Sequence, residues 1–260
     1  MLTHRQVRVD GRVVTRHDHL LLTGQTVSIT PSSGMKQDHL LGLEILFEDE
    51  YLLVIYKPGG LLSMANESER EKTAYHMLTE YLRQQNTHQR VFIVHRLDKE
   101  TSGVMVFAKN QLVQQALQNA WKDSVVERVY SAVVEGRISP PVGTIRSWLK
   151  ESRTQTMYVS LKPGEGQLAV THYQVVRANR HFSLLDVRLE TGRKNQIRVH
   201  MQNIGHPVVG DRRYGAHSNP IGRLALHARV LALRHPVNGQ VLRFETPVPT
   251  PFLRLTSLEP

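Results

Sequence analysis

What most restricts the fold of this chain is the way strand-like runs gather late in it without a helix after each one. Residues 126–134, 169–176, 182–189, 224–233 and 241–245 carry β-type alternation or short apolar runs. Only one helical stretch, from about Asn195 to Ile204 and ended by Gly205, interrupts them. Earlier, Tyr51–Tyr56, Val91–Val94 and Val104–Ala108 read as further strands. Two helices are expected among these: Ala74, Met77, Leu78, Tyr81 and Leu82 behind Thr73, and Val113, Ala116, Leu117, Ala120 and Trp121 behind Asn110. A doubly wound fold needs strands and helices in regular alternation, so this order predicts an α+β fold on a mixed or antiparallel sheet.

The chain has 260 residues, enough for one large domain and a small module. Residues 1–30 form the small unit, with alternation at Val7 and Val9, a turn at Asp10-Gly11, Val13-Val14, a second turn at Thr23-Gly24, and Val27–Ile29. Residues 31–43, rich in Pro, Ser and Gly, read as a linker, and residues 44–260 form the main domain. A formal charge of +10 favours polyanions, nucleic acid first and an anionic membrane surface second. The absence of cysteine excludes disulfides, cysteine–zinc sites and thiol nucleophiles. No apolar run approaches the roughly 18 residues that span a bilayer. The first residues lack the apolar core of a secretory signal, so a cytoplasmic location without membrane attachment is expected.

Three segments carry chemistry. His95-Arg96-Leu97-Asp98-Lys99-Glu100-Thr101-Ser102-Gly103 is a polar loop mounted between two apolar strands, where reactive groups are commonly placed; its plainer reading is a solvated turn. Thr191 to His200 passes from a strand into a helix, so free backbone N–H groups join Arg193, Lys194 and Arg198 in favouring an anion; a capped, solvated helix start is the plainer reading. Gly210-Asp211-Arg212-Arg213-Tyr214-Gly215 sets two arginines beside a ring that could stack on an unpaired base, or simply form a surface turn.

Together and in order, these segments resemble the RluA-type RNA pseudouridine synthases. HRLDKETSG followed by VMVFAKN is similar to that family's signature. TGRKNQIRVHMQNIGHPVVGDRRYG, LALHARVLALRHPVNGQVLRFETPVP and GLEILFEDEYLLVIYKPGGLLS resemble its other blocks, and the likeness covers about residues 44 to 252. It implies a mixed, mainly antiparallel central sheet with flanking helices and a catalytic cleft, and isomerisation of uridine in structured ribosomal or transfer RNA without cofactor or metal. By position, Asp98 matches the family's reacting carboxylate, Tyr130 its hydroxyl beside the uracil, and Arg198 its partner for the aspartate, with Arg193 as the competing choice. Arg96 matches the residue that displaces the target base, and Ile197 would pack near the uracil. His95, Leu97, Arg193 and Gln196 are expected at the substrate, and a monomer is expected.

Two departures stand out. Many members have His where this chain has Asn195, an amide that still donates and accepts hydrogen bonds, so a local adjustment is expected. The N-terminus resembles only the later half of the alpha-L RNA-binding module, without the two short helices that should precede it. Two other functions compete. One is a non-catalytic RNA-binding or assembly protein on the same scaffold, which would need no carboxylate facing phosphates. The other is a metal-dependent nuclease built on His95, His200 and His227, whose spacing matches no metal-binding helix.

Overall fold

The structure is a computed structural model that describes residues 7–10, 12–14, 19–29, 42–67, 69–85 and 89–257. It divides into two compact units, residues 1–42 and 43–260. In the first, β1 (Val7–Val9) pairs antiparallel with β2 (Arg12–Val14) on one side and β3 (Val27–Ile29) on the other. The turn after β1 is tied down by Asp10, whose carboxylate accepts from Thr26 N (2.9 Å) and Gln25 Nε2 (3.0 Å). Gly11 and most of the expected linker lie outside the described residues.

The second unit is an eleven-stranded sheet. Its strands are β4 (Glu44–Glu48), β5 (Leu52–Lys57), β6 (Phe92–Ile93), β7 (Ser102–Ala108), β8 (Val125–Glu135), β9 (Val142–Glu151), β10 (Met157–Val159), β11 (Gln167–Ala178), β12 (Phe182–Leu189), β13 (Leu226–Arg234) and β14 (Val241–Glu245). They lie in the order β10-β9-β11-β12-β8-β13-β7-β5-β4, with β14 on β13 and β6 on β7. Every pairing is antiparallel except β7 with β13. This is the α+β, mainly antiparallel architecture that the strand order predicts.

β13 is shared between two neighbours along one edge. His227 and Ala228 lie in register with Ser102 and Gly103 of β7, and Val230 to Arg234 then pair with β14. The short parallel seam depends on Gly103. At φ +120° it lets the backbones approach so closely that a Cβ there would lie 2.1 Å from the Ala228 carbonyl oxygen. All seven residues of β7 are buried. One core joins Leu52, Val54, Val104, Val106, Leu231 and Leu233 to Val113 and Leu117 of α2 (Gln111–Asn119). A second packs Leu149, Met157 and Ala169 against Val199 of α4 (Gln196–Asn203) and Tyr214.

Helix starts follow local chemistry. Thr73 Oγ1 accepts from His76 N (3.1 Å) to open α1 (Ala74–Gln85), and Asn110 Oδ1 accepts from Val113 N (2.8 Å) to open α2. The second expected helix is broken at Ala120, and α3 (Trp121–Ser124) is a separate turn. Among the elements not expected are β9, β10 and α5 (Thr250–Leu255), the last in the Pro-rich tail. β6 is shorter than the run 91–94, because Val106 N–H goes to the His95 ring (Nε2, 3.1 Å) instead of extending the ladder.

Candidate active site

The Asp98 loop leaves β6 and enters β7, and its backbone is gripped on both sides of the carboxylate. Before it, Ser63 Oγ accepts from Leu97 N (3.2 Å) and donates to Leu97 O (2.7 Å). After it, the carbonyl of Lys99 accepts from Gly60 N (2.9 Å) and from Lys57 Nζ (3.1 Å). Thr101 N closes the turn on Asp98 O (3.1 Å). Lys57 is fully buried and also donates to the carbonyls of Pro58 (2.9 Å) and Leu61 (2.7 Å), so its three N–H groups are all used. Burial pulls its ammonium down to about 7, against the opposing pull of Glu100 and Asp98.

The Asp98 side chain meets residues that enter from α4. Its Oδ2 accepts from Asn195 Nδ2 (2.6 Å) and Arg198 Nη1 (3.1 Å). Arg198 gives its other donors to Asp211, Nε to Oδ2 at 2.6 Å and Nη2 to Oδ1 at 2.8 Å. The Asp211 side chain is 1% exposed, whereas that of Asp98 is 35% exposed and opens to the cleft. Burial opposes the charge on Arg198, but the two carboxylates, Asp211 foremost, more than offset it and hold the guanidinium firmly protonated. The guanidinium also lies 4.8 Å over the ring of Tyr214.

The cleft encloses about 1090 Å³. Arg96, Lys99, Lys122, Arg128, Arg146, Arg193 and Lys194 line it against only Asp98 and Glu190, so its field favours an anionic ligand. Tyr130 reaches it from β8 and is 8% exposed. Burial raises its hydroxyl pKa, Arg128 pulls it back, and Asp98 raises it further. Arg128 donates to Thr191 O (2.9 Å) across the cleft wall, while its buried Nε has no partner among the described residues.

The residues singled out from sequence fall into two groups. His95, Arg96, Leu97, Asp98, Tyr130 and Arg193 line the cleft, and Arg198 touches Asp98. Arg96 is exposed, with Nη1 3.7 Å from Met64 Sδ. His95 lies 4.7 Å from the Trp121 ring, centre to centre, and burial drives its imidazole down to about 3, so it is neutral. Arg193 donates through Nε to Leu168 O (3.0 Å), which leaves the ion pair with Asp98 to Arg198. Ile197 and Gln196 are buried and stand outside the cleft wall. Gln196, expected at the substrate, instead fastens the helix start. Its Nε2 donates to Val170 O (2.9 Å) and Thr171 Oγ1 (2.9 Å), and its Oε1 accepts from Thr191 Oγ1 (2.8 Å) and Arg193 N (2.9 Å).

The GDRRYG segment plays a different part from base stacking. Tyr214 is 2% exposed and lies under Arg198, and Arg213 Nη2 holds the β9–β10 turn through Gln155 O (2.9 Å) and Thr156 Oγ1 (3.1 Å). Its informative residue is Asp211, which sequence reasoning passed over although it stands beside the two arginines. The three histidines that suggested a metal site are engaged separately: His95 with Val106, His200 with Ser147 and Thr171, and His227 with Ser102 and Thr246. No helix among the described residues is long and apolar enough to cross a membrane.

Comparison with known proteins identifies the family. Residues 51–203 match the family described as RNA pseudouridylate synthase. An uncharacterised RNA pseudouridine synthase of Bacillus subtilis (strain 168) is 34% identical over 95% of this chain and 83% of its own length. The ribosomal large subunit pseudouridine synthase D of Pseudomonas aeruginosa is 35% identical over 97% of this chain and 83% of its own length. Among solved structures, human RNA pseudouridylate synthase domain containing 4 superposes with a TM-score of 0.66 and 26% identity, over 81% of this chain and 90% of that one. The matched family model over residues 51–203 and relatives 34–35% identical over most of their length show that the chain belongs to the RNA pseudouridine synthase family.

Proposed function

We propose that this protein converts uridine to pseudouridine in structured RNA, with Asp98 as the reacting carboxylate, Tyr130 as the group facing the uracil and Arg198 as the ion-pair partner. The observation that carries the reading is the Asp98 carboxylate, half-buried and charge-paired, at the wall of a cleft whose other charges are almost all positive.

The target nucleotide is extruded from its stack at a cost of about a few kcal/mol, and Arg96 fills the gap it leaves. Asp98 then either attacks the sugar carbon of the glycosidic bond or removes a neighbouring sugar proton; both routes bring a carboxylate oxygen to the ribose and release uracil within the pocket. The ring turns and rejoins the sugar through carbon, and the proton on that carbon leaves to a base, the role assigned to Tyr130. No water has to be activated, so the chemistry calls for no metal or cofactor.

The substrate is ribosomal large-subunit RNA or transfer RNA. The first of these is supported by the relatives named for the large subunit. The N-terminal unit of residues 1–30 is read as a partial alpha-L RNA-binding module, with residues 31–43 as linker and residues 44–260 as the catalytic domain. A cytoplasmic monomer fits the reading.

The test is to incubate the protein with uridine-containing RNA in the presence of chelator and to map pseudouridine. Product is expected from the parent protein and none from Asp98→Asn, with RNA affinity largely retained. Product from Asp98→Asn would remove Asp98 from the chemistry. Binding without product on every RNA would favour a non-catalytic scaffold, and cleavage abolished by chelator would favour a nuclease.

A further inference from the structure

We propose that Asn195 and Tyr214 form a hydrogen-bonded relay that fixes which oxygen of Asp98 meets the substrate. The inference rests on Asp98 being the reacting carboxylate.

Asn195 occupies the N-cap position of α4, yet its side chain makes no capping hydrogen bond. In the same protein Asn110 caps α2 in the usual way. Asn195 is instead held at φ 52°, a left-handed conformation that Asn tolerates better than most residues. That backbone turn goes with an amide directed at Asp98, with Nδ2 2.6 Å from Oδ2.

The orientation of the amide is set from behind. Tyr214 Oη accepts from Met157 N (3.2 Å), which leaves its own proton to donate to Asn195 Oδ1 (3.2 Å). With Oδ1 taken by a donor, Nδ2 must face the carboxylate, which only accepts. Tyr214 itself is immobilised, buried beneath the Arg198 guanidinium.

Asp211 completes the arrangement. A bidentate arginine would engage both oxygens of Asp98 and blunt it. Here the fork of Arg198 closes on Asp211 and only Nη1 reaches Asp98, on the same Oδ2 that Asn195 holds. Both N–H donors therefore converge on Oδ2. Oδ1 accepts from none of the described residues and is left to react. Asn195 is on this account a positioning residue, acting through Asp98.

The experiment measures single-turnover rates at saturating RNA, beside RNA Kd, for Asn195→Gly, Asn195→His and Tyr214→Phe. Glycine keeps the left-handed backbone but removes the donor, and histidine tolerates that backbone and restores an N–H. Asn195→Gly is expected to be about 10- to 100-fold slower, with Kd within about twofold of the parent. Asn195→His should recover most of the rate, and Tyr214→Phe, which frees the amide to turn over, should fall between.

A rate for Asn195→Gly within about twofold of the parent overturns the relay, as does a Kd that rises in step with the rate loss or a defect that histidine fails to recover. If Asn195→Gly does not fold, Tyr214→Phe decides on the same two readouts. Asp98→Asn is run in parallel. An active Asp98→Asn defeats the choice of carboxylate, whereas an inactive one beside an unimpaired Asn195→Gly defeats the relay alone.

Discussion

Asp211 shows how far the setting of Asp98 depends on a residue behind the cleft wall. It is almost fully enclosed, and both its oxygens are committed to Arg198. Removing it strips two charge-assisted hydrogen bonds from Arg198 and leaves Asp98 as the remaining counter-charge. Asp211→Ala is therefore expected to lower stability by about 2–3 kcal/mol, read as a drop in the urea midpoint at unchanged slope. Asp98, Tyr130 and Arg198 each sit in a short block with a family pattern, and the structure puts the first two on the cleft and the third against Asp98. Asp211 and Lys57 could not be picked out in this way, because their importance comes from burial and from partners elsewhere in the chain. Lys57 reads as an ordinary surface lysine until its three carbonyl partners are known. Gln196 erred the other way: its block pointed to the substrate, but its amide is used inside the fold.

Elements were legible where burial and periodicity agree. β12 and β14 match their expected spans, and α1 begins one residue after its N-cap Thr73. β9 was hidden because Ser147, between Ile145 and Leu149 on the inward side, is polar and pairs with His200 Nε2 (2.9 Å), which breaks the apolar alternation. α5 was hidden by its prolines, which end a helix from within but are tolerated in its first turn. The parallel seam between β7 and β13 could be foreseen from neither strand alone, since it rests on Gly103 meeting Ala228. Gly103→Ala is expected to cost about 3 kcal/mol or more, through a forced backbone shift and an unfavourable φ, and the melting temperature would register it. A substitution without measurable effect would mean that the seam is not tight.

At the scale of the whole molecule, buried and half-buried histidines make stability depend on pH. Burial lowers His200 and His227 to about 4 and His95 to about 3, against an ordinary value of 6.5. Between those limits the unfolded chain binds protons that the folded one refuses, so stability rises with pH through this window. The contribution is complete above about 6.5 and is lost as pH falls towards 4 and 3. The melting temperature should therefore fall on acidification from pH 7 to pH 4, with proton uptake on unfolding, and His227→Gln should flatten the slope. An unchanged slope in that variant would mean that His227 is not buried in its neutral form.

The two-residue seam of β7 with β13 also bears on how the protein is made. Ser102 and Gly103 follow the Asp98 loop directly, yet their β13 partners lie more than 120 positions downstream. Contacts that far apart are among the slowest to form. While a ribosome is still extending the chain, the carboxylate and its Asn195 and Arg198 neighbours are made before the strand that closes this seam has emerged. The edge of β7 beside the Asp98 loop therefore stays open until residues 226–234 are available to pair with it.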